Sequence, residues 1–238
     1  MSSIRWIEAA TFGSNNDIPP RAHHTSSIVG SFMYIIGGTS GSTFFNDVRV
    51  IDLKGADHDW SIPRLIRTMG TSEVNDVQMH GDSRQPFEGR SRHTASTVKN
   101  SKGETSIYIY GGVHGKDKMY SLSLGSVLQW HRITAATGEA PTDLFSHCAT
   151  SIKNKIYLFG GLDQSSTCTS SLYVFDTLLL HWEKFKFSSS LMTKHPVRVK
   201  GAFISSNILW IHTFNEYFFV FFFSPFSQLS FTIGVYLY

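Results

Sequence analysis

The sequence predicts an all-β chain assembled from repeated four-stranded antiparallel units, and three observations carry that prediction. Glycine (19 residues) and aromatic side chains (14%) are abundant in a chain of 238 residues, a composition suited to many short strands and turns rather than to a helical bundle. Three double glycines, Gly37-Gly38, Gly111-Gly112 and Gly160-Gly161, each close a run dense in β-branched and aromatic residues, FMYIIGG, SIYIYGG and KIYLFGG. Such runs are strands. Each glycine pair is preceded by a histidine and followed by a tryptophan, always in that order.

The elements of one unit follow in turn. A first strand starts at each histidine: His24 in RAHHTSSIV, His93 in RSRHTASTV and His147 in LFSHCATSI. The second ends in the glycine pair, 13 residues beyond His24 and His147 but 18 beyond His93. The five additional residues fit a longer hairpin around Asn100 to Glu104. A third strand, DVRVID, KMYSLS or SLYVFD, leads to Trp60, Trp130 or Trp182, which marks the fourth. Four strands in about 50 residues is what a β-propeller blade requires. Within the third strand Phe175 has Leu122 and Ile51 as counterparts, all apolar. The aspartate that follows in two copies, Asp52 and Asp176, is Ser123 in the middle one, a weaker turn former.

This order of histidine, double glycine, aromatic strand and tryptophan resembles the kelch repeat, over roughly residues 20 to 182. The resemblance implies a kelch-type β-propeller with three complete four-stranded blades at 20–60, 89–130 and 141–182 and an insert at 61–88. Trp6 stands 18 residues before His24, much as Trp130 stands 17 before His147, and reads as a lone N-terminal outer strand. Seventeen residues beyond Trp182 lies Val199 in HPVRVKGAFISSNILWI, which reads as a partial fourth blade over 195–213. There His212-Thr213 replace the glycine pair, and neither a third strand nor a tryptophan is expected to follow. Residues 1–213 are therefore expected to form the propeller, with 214–238 an apolar tail outside the repeat. About four blades is the minimum for a closed ring, so an open arc is expected unless the Trp6 strand reaches Ile208 to Ile211. An open blade edge invites self-association. The stretch before the first repeat is too short for the dimerising BTB domain of one large kelch subgroup, so the expectation is a kelch chain without that domain and truncated in its fourth repeat.

Residues 217–238, YFFVFFFSPFSQLSFTIGVYLY, carry no charge. Their length would permit a membrane-spanning helix, but Pro225, the polar set Ser224, Ser227, Gln228 and Ser230, and the lack of nearby Lys or Arg argue against one. High β-propensity without charge also makes the segment prone to aggregate. Elsewhere, 21 basic against 18 acidic residues give a net charge of +3 with no basic run, which argues against a nucleic-acid partner. Two cysteines cannot staple such a chain, no Asn-x-Ser/Thr sequon occurs, and MSSIRWIEAATFGSNND lacks a signal peptide's apolar stretch. An intracellular, cytoplasmic protein is expected.

The repeated residues read as structural. Inner-strand histidines exchange hydrogen bonds with adjacent backbone; a metal site built from His24, His93 and His147 has no spacing motif behind it. The glycines allow close passage of strands, and the tryptophans fill the space between blades. No nucleophile elbow, phosphate loop or zinc spacing is present, and Cys148, next along a strand from His147, points to the opposite face. Neither enzyme nor cofactor is expected.

Strand alternation places the second-to-third-strand loops and the links between blades on one face, which carries the irregular sequence. Candidate partner-binding residues there are the exposed-looking Phe44 and Phe45, His114, Lys116, Gln164, and Arg64 and Arg67 of the insert. The insert itself reads either as a solvated loop or as a partner-binding one. The resemblance implies a non-catalytic protein-interaction scaffold or adaptor, the role of kelch proteins in ubiquitin ligases, cytoskeleton and trafficking. The alternatives are a propeller enzyme with its site at the channel mouth, as in kelch-like oxidases and lyases, and a truncated product without function.

Overall fold

Short runs in which alternate residues are apolar, punctuated by Gly, Asn and Asp, can satisfy their backbone only by pairing with one another. In the computed structural model, which describes residues 18–54, 60–61, 63, 65–68, 87–115, 119–185, 199–205, 208–213 and 218–222, every named element is a strand.

The first blade contains β1 (Thr25–Val29), β2 (Phe32–Ile36), β5 (Val48–Asp52) and β6 (Trp60–Ser61) in that spatial order, with a small hairpin of β3 (Thr39–Ser40) and β4 (Thr43–Phe44) in the loop between β2 and β5. The second blade begins in sequence with β7 (Leu65–Thr68), then β8 (Thr94–Lys99), β9 (Thr105–Tyr110), β10 (Met119–Leu124) and β11 (Leu128–Ile133). The third repeats this with β12 (Thr137–Gly138), β13 (Cys148–Ile152), β14 (Lys155–Phe159), β15 (Leu172–Asp176) and β16 (His181–Phe185). A fourth sheet holds β17 (Val199–Ser205), β18 (Ile208–Thr213) and β19 (Phe218–Phe222). The inner strands β1, β8, β13 and β17 lie side by side in that order, as the blades of a propeller do.

The expected four antiparallel strands are present in each of the first three blades, and the second and third gain a fifth, because β7 and β12 run parallel to β11 and β16 along their outer edges. The chain leaving one blade must cross to the inner strand of the next, and on the way it covers that blade's exposed edge. Part of the 61–88 insert is therefore sheet. The fourth repeat also continues past residue 213: β19 pairs antiparallel with β18 from Ile208↔Phe222 to His212↔Phe218. The first strands of the aromatic stretch thus belong to the sheet, since ladder pairing requires β-compatible backbone and no glycine pair. The Trp6 strand lies outside the described residues.

Side-chain alternation gives every blade two faces. On the second, Ile107, Ile109, Leu122 and Trp130 face the first blade, where they meet Tyr34, Ile36, Val48 and Val50. Val98, Tyr110 and Met119 face the third, where they meet Ile156, Leu158, Phe175 and Trp182. The cross-strand pairs Ile51↔Trp60, Leu122↔Trp130 and Phe175↔Trp182 put each tryptophan opposite the apolar third-strand position. Trp130 and Trp182 therefore look back at the preceding blade. Trp130 and Trp182 are buried, whereas Trp60 is only half-buried and Ile28, on the same face, is 62% exposed. Ile35 and Ile51, on that same face, are buried, so its exposure is confined to the edges around Ile28 and Trp60.

The glycine pairs sit where blades touch. Gly37 and Gly111 (φ 63° and 66°) and Gly38 and Gly112 (φ 102° and 92°) occupy the left-handed region. A Cβ on Gly111 would lie 2.3 Å from the Leu144 carbonyl oxygen and 2.9 Å from the His147 ring, both in the next blade, while one on Gly112 would lie 2.6 Å from the Ser91 carbonyl oxygen. Gly41 has a similar φ of 56° with nothing within 4 Å. Gly41→Ala should cost about 1 kcal/mol from backbone strain alone, and Gly111→Ala at least about 3 kcal/mol, because clash adds to strain. Denaturant midpoints of the two variants check this; equal losses would show that blade contact at Gly111 is not limiting.

Candidate interaction face

Each inner strand is entered through a four-residue segment ending in the repeat histidine: Arg21 to His24, Arg90 to His93 and Leu144 to His147. The residue before the histidine, His23, Arg92 or Ser146, adopts a left-handed backbone with φ of 56° to 57° and is exposed. These residues are joined by their backbones, Arg92 N–H donating to the His23 carbonyl (3.0 Å) and Ser146 N–H to the Arg92 carbonyl (2.9 Å). A polar staircase results, from which three side chains project to solvent.

One step behind it, the histidines join the blades. His93 Nε2 shares a hydrogen bond with the Thr25 hydroxyl (3.0 Å), and His147 Nε2 with the Thr94 hydroxyl (2.8 Å). The partner of each Nε2 is thus a threonine of the preceding blade, and His93 also interacts with the adjacent Ile36 backbone, as expected. Second glycines add parallel links: Gly38 N–H donates to the Arg90 carbonyl (2.8 Å) and Gly112 N–H to that of Leu144 (2.9 Å). His24, whose face has no preceding blade among the described residues, is exposed. Nε2 of His93 and of His147 is turned to a threonine, and no group of three His, Cys, Asp or Glu that could hold a metal occurs among the described residues.

Arg21 and Arg90, three residues before the histidine, were not singled out in the sequence. Both send Nη1 to the carbonyl of the first glycine of their own blade, Gly37 (3.0 Å) and Gly111 (3.2 Å). Arg21 also pairs with Asp47 through both terminal nitrogens (2.6 and 3.1 Å) and lies over the Phe45 ring at 4.1 Å. Burial alone would raise the Asp47 carboxyl pKa, but hydrogen bonds and charge from Arg21 and Arg49 hold it below the usual range. Arg90 is 1% exposed, stacked over Phe87 at 4.7 Å and Tyr120 at 5.2 Å; burial lowers its pKa to about 10. Phe87 in turn packs edge-on against Trp130, centroids 5.0 Å apart. In the third blade Leu144 replaces the arginine. Recurrence of Arg at this offset in two copies is the sequence signal that could have revealed it.

The candidate contact residues divide. Phe44 and Phe45 are half-buried rather than exposed: Phe44 meets the His114 ring edge-on at 4.5 Å, bridging two blades, while Phe45 supports Arg21. His114 is exposed, with φ 63°. Gln164 is exposed and donates to the Asp143 carboxylate. Arg67 sits on β7 in register with Trp130, at the outer edge of the second blade and away from these loops. Arg64 and Lys116 lie outside the described residues. Cys148 is a thiol with no nucleophilic setting, since burial pushes its pKa up to about 12.

Burial lowers the pKa of His93 to about 3, with the charge of Arg90 next in effect, and burial lowers that of His147 to about 4. Both imidazoles titrate near 6.5 once unfolded. Between these values the unfolded chain binds more protons, so the stability they secure is complete above pH 6.5 and is lost as pH falls towards the folded values. Each should cost about 2 kcal/mol between pH 7.5 and pH 5. Urea titrations across that range should show the slope, and His147→Asn should reduce it by about half; an unchanged slope would show His147 is not buried neutral.

Residues 65–230 match the family described as the KLHDC2/KLHL20/DRC7 Kelch-repeats domain, and residues 20–62 match the Kelch motif. Among curated proteins the chain is similar to Host cell factor of Drosophila melanogaster (29% identical over 191 residues, 69% of this chain and 12% of that protein). It is also similar to Host cell factor 1 of Homo sapiens (27% over 180 residues, 68% of this chain and 8% of that protein) and to Kelch repeat-containing protein 2 of Saccharomyces cerevisiae (24% over 170 residues, 68% and 17%). The match spans less than a fifth of each of these longer proteins.

Proposed function

The chain belongs to the kelch-repeat family, and from that premise we propose that it is a non-catalytic scaffold or adaptor whose propeller loops hold an intracellular partner protein. The observation that carries this reading is the gathering of blade lead-ins and second-to-third-strand loops on one face, where the Phe44–His114 pair bridges two blades beside the exposed Arg92. Rigid strands presenting irregular loops are the usual platform for recognition, and aromatic and Arg residues are enriched at interfaces. The proposed contact set is Phe44, Phe45, His114, Lys116, Gln164 and Arg64, with the exposed Arg92 added and with Arg67 left out because β7 runs along the outer edge of its blade. Two free cysteines, Cys148 and Cys168, suit the reducing interior of a cell. Among the described residues no helix is long and apolar enough to cross a membrane. The partly exposed face of the first blade, with Ile28 and the half-buried Trp60, is the proposed site of self-association.

Capture from a cell extract by the tagged full chain, read by mass spectrometry, tests the face. Arg92→Glu, His114→Ala and Gln164→Ala in combination should abolish recovery of specific partners while changing stability by no more than about 1 kcal/mol. Undiminished recovery by the folded variant would remove this face from the proposal.

A further inference from the structure

The opposite face, formed by the tight hairpins, has a cleft of about 470 Å³ between the second and third blades. Its walls come from the β8–β9 hairpin (Lys99, Ser106, Tyr108), the β13–β14 turn (Lys153, Asn154) and the β15–β16 turn (Leu178). Both ammonium-bearing side chains are exposed. The nearby carboxylates are committed internally. Asn100 Nδ2 donates to Glu104 (2.8 Å), while Asp176 Oδ1 accepts from Asn154 Nδ2 (3.0 Å) and from the N–H groups of Leu178 (2.9 Å) and Leu179 (3.1 Å).

That last set of bonds fixes the turn so that Leu178 and Leu179 stand 68% and 74% exposed. Adjacent large apolar side chains held outward on a rigid turn, beside lysines and hydroxyls, form an amphipathic surface. The phosphates of a nucleic acid would leave the two exposed leucines unmatched, and a flat membrane surface does not fill a cleft. A polypeptide can match both parts, with acidic side chains towards Lys99 and Lys153 and an apolar side chain on the leucines. We propose that this cleft docks an acidic peptide segment carrying a large apolar residue, which gives the propeller a second contact surface separate from its loop face.

Fluorescence anisotropy on the full chain, with a labelled short peptide of Asp and Glu around one Phe, tests this. Binding should weaken about tenfold in Lys99→Glu/Lys153→Glu and comparably in Leu178→Ser/Leu179→Ser. It should be unaffected by the Arg92, His114 and Gln164 substitutions, which separates this inference from the reading of the loop face. All seven positions are exposed, and circular dichroism confirms that each variant is folded. No binding of the peptide, equal binding by the lysine or leucine variants, or tighter binding of a thymidine oligonucleotide or a phosphatidylserine vesicle than of the peptide would overturn it.

Discussion

Everything in this fold depends on how closely one blade can approach the next. At the two junctions among the first three blades the second glycine of a pair donates its N–H to a carbonyl of the following blade, and a buried imidazole of that blade reaches back to a threonine hydroxyl. Both bonds need a separation that any Cβ on the glycines would forbid. Hydrogen bonds in so enclosed a setting contribute modestly when made and cost more when left unmade, so they act chiefly by excluding other packings. Apolar area supplies the bulk of the stabilisation: Trp130 and Trp182 are each buried against the preceding blade.

This division also explains the electrostatics of the junctions. The imidazoles are neutral because burial penalises the cation, and a neutral ring can share a hydrogen bond with a hydroxyl without demanding a counter-charge. Arg90 solves a harder problem, a permanent cation at 1% exposure, by lying over two aromatic rings and donating to a glycine carbonyl. Arg21 has Asp47 for the same purpose. The second blade thus holds its arginine by ring faces where the first uses a carboxylate.

The repeat was legible in the sequence because its markers are chemically irreplaceable: glycine where φ is positive and contact is close, histidine where a neutral ring must bond, tryptophan where a large gap must be filled. Arg21 and Arg90 were illegible because a charged residue near a strand reads by default as solvated, and Leu144 breaks the pattern in the third copy. The edge strands β7 and β12 carry no local turn signature, since parallel pairing at an outer edge is decided by where the chain must travel. Phe218–Phe222 was assigned to a tail because the glycine pair before it is missing. Glycine governs contact between blades, however, and pairing within a sheet does not require it. On the loop face, Phe44 and Phe45 were legible as notable residues, but their packing against His114 and beneath Arg21 depends on neighbours distant in sequence.

Because Thr25–His93 and Thr94–His147 are the same joint made twice, whole repeats could be duplicated or lost between them and the new neighbours would still fit. Such interchange stops at the third blade. There Cys148 occupies the place of Thr25 and Thr94, and its sulfur is turned to the Phe159 carbonyl of its own blade at 3.5 Å. A repeat placed after it would find no threonine hydroxyl at that position for its histidine, so the third blade cannot be followed by a repeat that makes the same joint.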